Sequence, residues 1–224
     1  MPLRRELTLP VPGGAIQGDL VLPARARGIV VFAHGSGSGR GSPRNQQVAR
    51  ELAEAGLGTL LLDLLTREEA EIDSVSGRFR FDIPRLAERL TATVDALAAR
   101  PETARTPAGL YGASTGGAAA LLAAAARPEA VRAVVLRGAR SDLARPGLRA
   151  VRAPTLFLVG ELDPEVRAIN VASMAEVGGP KQLVVVRGAS HLFEEPGALE
   201  EVARRTRDWF LKYFPPFSPA EGRP

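Results

Sequence analysis

The chain has 224 residues, a net charge of +4 and a sequence pI near 10.2, with 45% hydrophobic and 24% charged residues. That balance suits a soluble α/β protein with a sizeable core, and the scattered arginines, with Lys181 and Lys212 as the only lysines, argue against a nucleic-acid-binding face. With no cysteine, disulfides, cysteine metal sites and a cysteine nucleophile are excluded, and only two histidines, His34 and His191, exclude a His-rich metal site.

Residues 3–9 and 16–22 alternate in polarity around the turn Pro12-Gly13-Gly14, which predicts an opening hairpin. Residues 28–33 form a continuous apolar run, the mark of a strand buried on both faces. A flexible Gly/Ser loop from His34 to Ser42 follows. Pro43 then starts a helix through Val48, Leu52 and Leu57. Residues 59–62 are the next buried strand, ending at Asp63. Residues 64–81 are charged and irregular, and are expected to make a short excursion over the top of the sheet. Residues 82–99 form a long amphipathic helix. The remaining strands fall at 108–111, 131–136, 155–159 and 182–186. Helices are expected at 118–126, 165–177 and 196–214, with a loop or short helix at 141–151. The Pro-rich residues 215–224 are expected to be a disordered tail. An antiparallel pair followed by strands alternating with helices predicts a single α/β domain over residues 1–214. Its central sheet should be mostly parallel, with about eight strands and helices on both faces.

In such sheets the functional groups gather beyond the carboxyl ends of the strands. Four features land there. Gly112-Ala113-Ser114-Thr115-Gly116 reads Gly-x-Ser-x-Gly between a strand and an Ala/Leu helix, the setting of a nucleophile elbow. Asp163 and His191 each follow a later strand, and the loop from His34 follows an earlier one. The chain order Ser, Asp, His is that of an α/β-hydrolase triad. A serine hydroxyl needs a base to remove its proton as it attacks, and His191 is the candidate. Asp163 would fix the imidazole tautomer and stabilise its cation. Asp163 also precedes Pro164, where a helix N-cap would sit, so Glu161 and Asp142 are the alternative acids. His34 is the other candidate base, although its place before a Gly loop better suits support of that loop. The oxyanion donors would be the backbone N–H groups of Thr115 and Ser36. The Gly35–Gly41 stretch lacks both the dinucleotide and the phosphate-loop patterns.

These residues resemble the α/β-hydrolase superfamily, and within it the small, lidless dienelactone hydrolase-like group. The carriers are His34-Gly35-Ser36-Gly37, the Gly112–Gly116 motif, Gly160-Glu161-Leu162-Asp163 and Ser190-His191-Leu192-Phe193. The similarity is greatest to the hydrolase domain that in some proteins accompanies a phosphoribosyltransferase domain, a partner not expected within these residues. Dienelactone hydrolases proper use a cysteine nucleophile, and this chain has none. The resemblance therefore implies a serine hydrolase of carboxylic esters or related small acyl compounds, with no cofactor and minimal or no cap.

Acyl transfer, thioester cleavage or peptide cleavage could use the same triad, and a non-catalytic binding module is the reading from another class. Arg40, Arg44, Arg78, Arg80 and Arg137 fall near the carboxyl edge and are candidates for holding an acidic group on the substrate, although pairing with Asp63, Asp82 or Glu68 would occupy them equally well. Phe79 and Phe81 are candidates to roof the pocket. The N-terminus carries charges where a signal peptide needs an apolar stretch, and no apolar run approaches the ~20 residues of a membrane span. A cytoplasmic protein acting on a small molecule, with no membrane or nucleic-acid partner, is expected.

Overall fold

The structure is a computed structural model, and it describes residues 1–216. Eight strands form one sheet in the order β1-β2-β4-β3-β5-β6-β7-β8. They are β1 (Leu3–Val11), β2 (Gly14–Leu22), β3 (Ile29–Ala33), β4 (Gly58–Leu62), β5 (Ala108–Ala113), β6 (Val131–Arg137), β7 (Thr155–Gly160) and β8 (Lys181–Val186). The β1–β2 and β2–β4 pairings are antiparallel and the rest are parallel.

The period-2 rule sorts the strand residues between two cores. Ile29, Val31 and Ala33 of β3 join the core under helices α3 (Ile83–Ala99) and α4 (Thr115–Ala126). Val30 and Phe32 join the other, under α1 (Pro43–Glu54) and α6 (Ala198–Tyr213). Val202, Trp209 and Phe210 of α6 are buried and Tyr213 is partly buried. This helix lies so close to β5 that a β-carbon on Gly109 would sit 2.5 Å from the Phe210 ring. Arg27 closes its C-terminus by donating to the carbonyls of Leu211, Phe214 and Pro215. Residues 217–224 of the expected tail lie outside the described residues.

The segment after β4 differs from expectation. It holds a ten-residue helix, α2 (Arg67–Ser76), rather than an irregular excursion. Its start is a capping box: Thr66 Oγ1 accepts the Glu69 N–H and Glu69 Oε2 accepts the Thr66 N–H. Gly77, at φ 63°, ends it in the left-handed conformation. The same Glu69 uses its other oxygen to pair with Arg85 at 2.7 Å and Arg89 at 2.6 Å, both on α3. Arg89 is 1% exposed and also donates to the carbonyls of Leu64 and Pro12. Burying a charge this deeply is tolerated only with such pairing. The helix α2 is therefore anchored by its first turn, not by an apolar face; Ile72 and Val75 are exposed.

The 141–151 stretch is a 3₁₀ segment, Ser141–Ala150, and α5 (Pro164–Glu176) follows β7. Among the described residues no helix is long and apolar enough to cross a membrane. No cap domain is evident among the described residues.

Candidate active site

Ser114 lies between β5 and α4 with φ 50° and ψ −121°. That is a conformation an L-residue adopts only under constraint. The constraint is visible. The Ser114 N–H donates to the Arg137 carbonyl at 3.1 Å, and its own carbonyl accepts from Gly117 and Arg140, both at 3.0 Å. The elbow also demands small neighbours. A β-carbon on Gly116 would lie 2.4 Å from the carbonyl oxygens of Ala33 and His34, and one on Gly35 would lie 3.1 Å from the Ser114 β-carbon. The glycines singled out by sequence are thus where backbone meets backbone.

The loops after β7 and β8 are laced together. Glu161 N–H donates to Val186 O at 3.0 Å, and Leu162 N–H donates to Ala189 O at 2.9 Å. This brings His191 Nδ1 to 2.6 Å from Asp163 Oδ2. The other oxygen, Asp163 Oδ1, accepts the Val166 N–H at 3.4 Å and caps α5. The cap and the histidine partner are therefore both roles of one carboxylate. The alternative acids are engaged elsewhere: Glu161 accepts the Gly188 N–H and Asp142 pairs with Arg140. Phe193 anchors the histidine loop. It is 1% exposed in the α1/α6 core, and it accepts φ 56° to get there. The His191 ring packs on Gly138, where a β-carbon would lie 3.3 Å from its Cε1. Gly138 directly follows the residue that holds the Ser114 amide, so one strand end registers both the ring and the elbow.

His34 has a different task. Its Nε2 accepts the Leu64 N–H at 3.0 Å, which leaves Nδ1 to carry the proton and donate to Gly35 O at 2.8 Å. The ring straps the loop after β3 to the end of β4. Burial lowers its pKa, opposed by the Gly35 carbonyl and Asp63, so it sits as the neutral imidazole.

The Ser36 N–H, expected to face the oxyanion, donates instead to Thr115 Oγ1 at 3.0 Å. Thr115, at the N-terminus of α4, is 4% exposed. The hydroxyl contact is new relative to the sequence reading, which considered only the Thr115 amide. A hydroxyl next to the nucleophile was its only signal.

Most of the expected substrate-binding residues are committed elsewhere. Arg40 pairs with Glu6, Asp19 and Asp63 at 2.6, 3.1 and 3.1 Å, and the Glu6 hydrogen bond leads in raising its pKa. Arg44 pairs with Glu194 at 2.8 Å. Arg80 pairs with Asp73 at 2.7 Å. Phe79 packs between the guanidinium groups of Arg78 and Arg85 rather than roofing a pocket, and Phe81 is exposed. Arg137 is the exception. It is 8% exposed, its Nη2 donates to Asn45 Oδ1 at 3.4 Å, the buried Tyr111 lies close to its guanidinium, and its Nε and Nη1 have no hydrogen-bond partner. Among the described residues no group of three or more His, Asp or Glu side chains is placed to hold a metal ion.

This sheet order, with its serine elbow and its loops at the carboxyl ends, is the α/β-hydrolase fold. The chain belongs to the dienelactone hydrolase family, whose model matches residues 16–218. It is similar to a crystal structure of dienelactone hydrolase from Anabaena variabilis, with 51% identity and a TM-score of 0.94 over 96% of this chain and 99% of that one. The esterase domain of a Rhodothermus marinus protein shares the fold at 21% identity and a TM-score of 0.73, over 95% and 100% of the two chains. Two curated relatives from strains of Mycobacterium tuberculosis, each named a putative phosphoribosyl transferase, are 51% identical over 213 residues, 95% of this chain. The chain spans about half the length of these relatives, 47%. Family and fold together support hydrolase activity.

Proposed function

We propose that the protein is a serine hydrolase cleaving a carboxylic ester or a related small acyl compound through an acyl-enzyme on Ser114. The observation that carries this reading is the 2.6 Å pairing of Asp163 with His191, whose ring packs on Gly138 next to the Arg137 carbonyl that holds the amide of Ser114, a serine at positive φ. In the proposed cycle Ser114 Oγ attacks the acyl carbon as His191 Nε2 takes its proton. Asp163 holds Nδ1–H and stabilises the imidazolium. The oxyanion receives the Thr115 N–H, a donor of the kind that contributes about 2.7–4 kcal/mol, while the Ser36 N–H stays on the Thr115 hydroxyl and holds the loop beside it. Collapse expels the alcohol, which takes the proton from His191. Water then attacks the acyl-enzyme by the same route, releasing the acid and restoring Ser114.

The transferase name of the curated relatives belongs to chains about twice this length and is not carried over. The acidic-substrate reading narrows to Arg137, which has two buried guanidinium nitrogens without a hydrogen-bond partner.

The test is labelling with a fluorophosphonate probe on wild type and Ser114→Ala, followed by mass spectrometry of the modified peptide. Label on Ser114 that vanishes in the variant is expected. A folded wild type that takes no label would overturn the reading in favour of a binding module.

A further inference from the structure

The helix that the sequence pattern hides forms one wall of a cavity of about 340 Å³, and the other wall is the oxyanion loop. Ser36 and Thr115 line it on one side, and Leu65, Ala70 and Leu86 on the other. We infer that this cavity receives the acyl group of the substrate and that α2 sets its size; the inference rests on the serine hydrolase reading above. The reason is position. The carbonyl oxygen under attack must lie against the Thr115 amide, so the chain on the acyl side meets the space that Thr115 borders. At a water's share of about 30 Å³ per heavy atom, the space holds roughly ten non-hydrogen atoms.

The cavity wall carries no net charge. Asp73 and Arg80 face it as a pair. Burial pushes the Asp73 carboxyl up, but the N–H groups of Arg80 and Phe79 and the Arg80 guanidinium outweigh it and hold the carboxyl below its ordinary range. His34 on the same wall is neutral. The class of ligand is therefore a compact, uncharged acyl group, apolar where Leu65, Ala70 and Leu86 meet it. The wall is stiff, because Asp73 ties the end of α2 to the 77–81 turn and Glu69 ties its start to α3.

Ala70 is the residue to enlarge. It is exposed and lines the cavity, so a larger side chain meets open space rather than the core. The experiment measures kcat/KM for p-nitrophenyl acetate, hexanoate and the succinate half-ester. It uses wild type, Ala70→Leu, Ala70→Phe and Val75→Phe, the last on an exposed position of the same helix. The hexanoate-to-acetate ratio should fall progressively from wild type to Leu to Phe, by tenfold or more at Phe, and stay at the wild-type value in Val75→Phe. Because both esters report on the same folded molecules, the ratio is independent of how much of each variant folds. In wild type the succinate half-ester should react at least tenfold more slowly than the hexanoate. A ratio that Ala70→Phe leaves unchanged, or that Val75→Phe changes equally, overturns the assignment of the cavity. A succinate half-ester that reacts as fast as the hexanoate overturns the ligand class. Absence of fluorophosphonate label on Ser114 is the separate result that removes the hydrolase reading and the inference with it.

Discussion

Asp163 touches His191 through one carboxylate oxygen and the first turn of α5 through the other. The two roles separate by substitution. Asparagine caps a helix as well as aspartate does but cannot hold the imidazolium. Asp163→Asn should therefore lose about three to four orders of magnitude in kcat while melting within a degree or two of wild type. Asp163→Ala should lose the same activity and in addition about 1 kcal/mol of stability. Esterase kinetics and thermal melts on the two variants check this; an active asparagine variant would leave Asp163 only its cap.

The Thr115 hydroxyl accepts the Ser36 amide proton. Removing the acceptor while keeping the shape leaves that amide without its partner and frees the loop to drift. Thr115→Val is expected to lower kcat about tenfold or more, the equivalent of about 1.4 kcal/mol, with little change in KM, and Thr115→Ser is expected to restore it. Equal kinetics in the valine and serine variants would refute a positioning role.

Acid stability should depend on His34. In the unfolded chain this histidine takes up a proton near its ordinary pKa of about 6.5, whereas burial lowers the folded value. As pH falls below that range the unfolded state binds more protons, so stability is full above it and is lost as pH falls. The slope from this one group is at most about 1.4 kcal/mol per pH unit. Urea denaturation of wild type and His34→Gln between pH 5 and 8 measures it. The wild type should lose stability on the acid side more steeply than the variant, and parallel curves would exclude the histidine as the source.

Arg137 buries a guanidinium with two nitrogen atoms unpaired. Such a group costs folding free energy, and an apolar side chain of similar length removes that cost. Arg137→Met is expected to raise the melting temperature. If the cation serves an acidic group on the alcohol portion of the substrate, the same variant loses the preference for a carboxylated alcohol over its neutral analogue. The expected change in the kcat/KM ratio is tenfold or more, by loss of a charge-assisted pair. An unchanged ratio would limit Arg137 to a structural place.

The order of strands and the three chemical loops were legible in the sequence for a local reason. Buried parallel strands are continuous apolar runs, as in Ile29–Ala33, and each ends at a conspicuous polar or glycine residue. Ser114, Asp163 and His191 could thus be placed at strand ends without knowing any contact. The helix Arg67–Ser76 was not legible from periodicity, because Glu69 holds it by charge and no apolar stripe is needed. Its capping pattern, Thr66 to Glu69, and the closing Gly77 were the available signals.

By itself, then, the sequence determined every strand, the helices other than α2, their order along the chain and the residue types at the strand ends, all of which follow from local propensity and hydrophobic period. Only the tertiary structure decided how those side chains are used. Whether Arg40 and Arg44 are spent on carboxylates, whether two nitrogens of Arg137 are left unpaired and whether Ser36 finds the Thr115 hydroxyl depend on residues far apart in the chain. Hydrogen bonds and ion pairs act over a few ångströms, and sequence separation carries no information at that range until the sheet has brought its strand ends together.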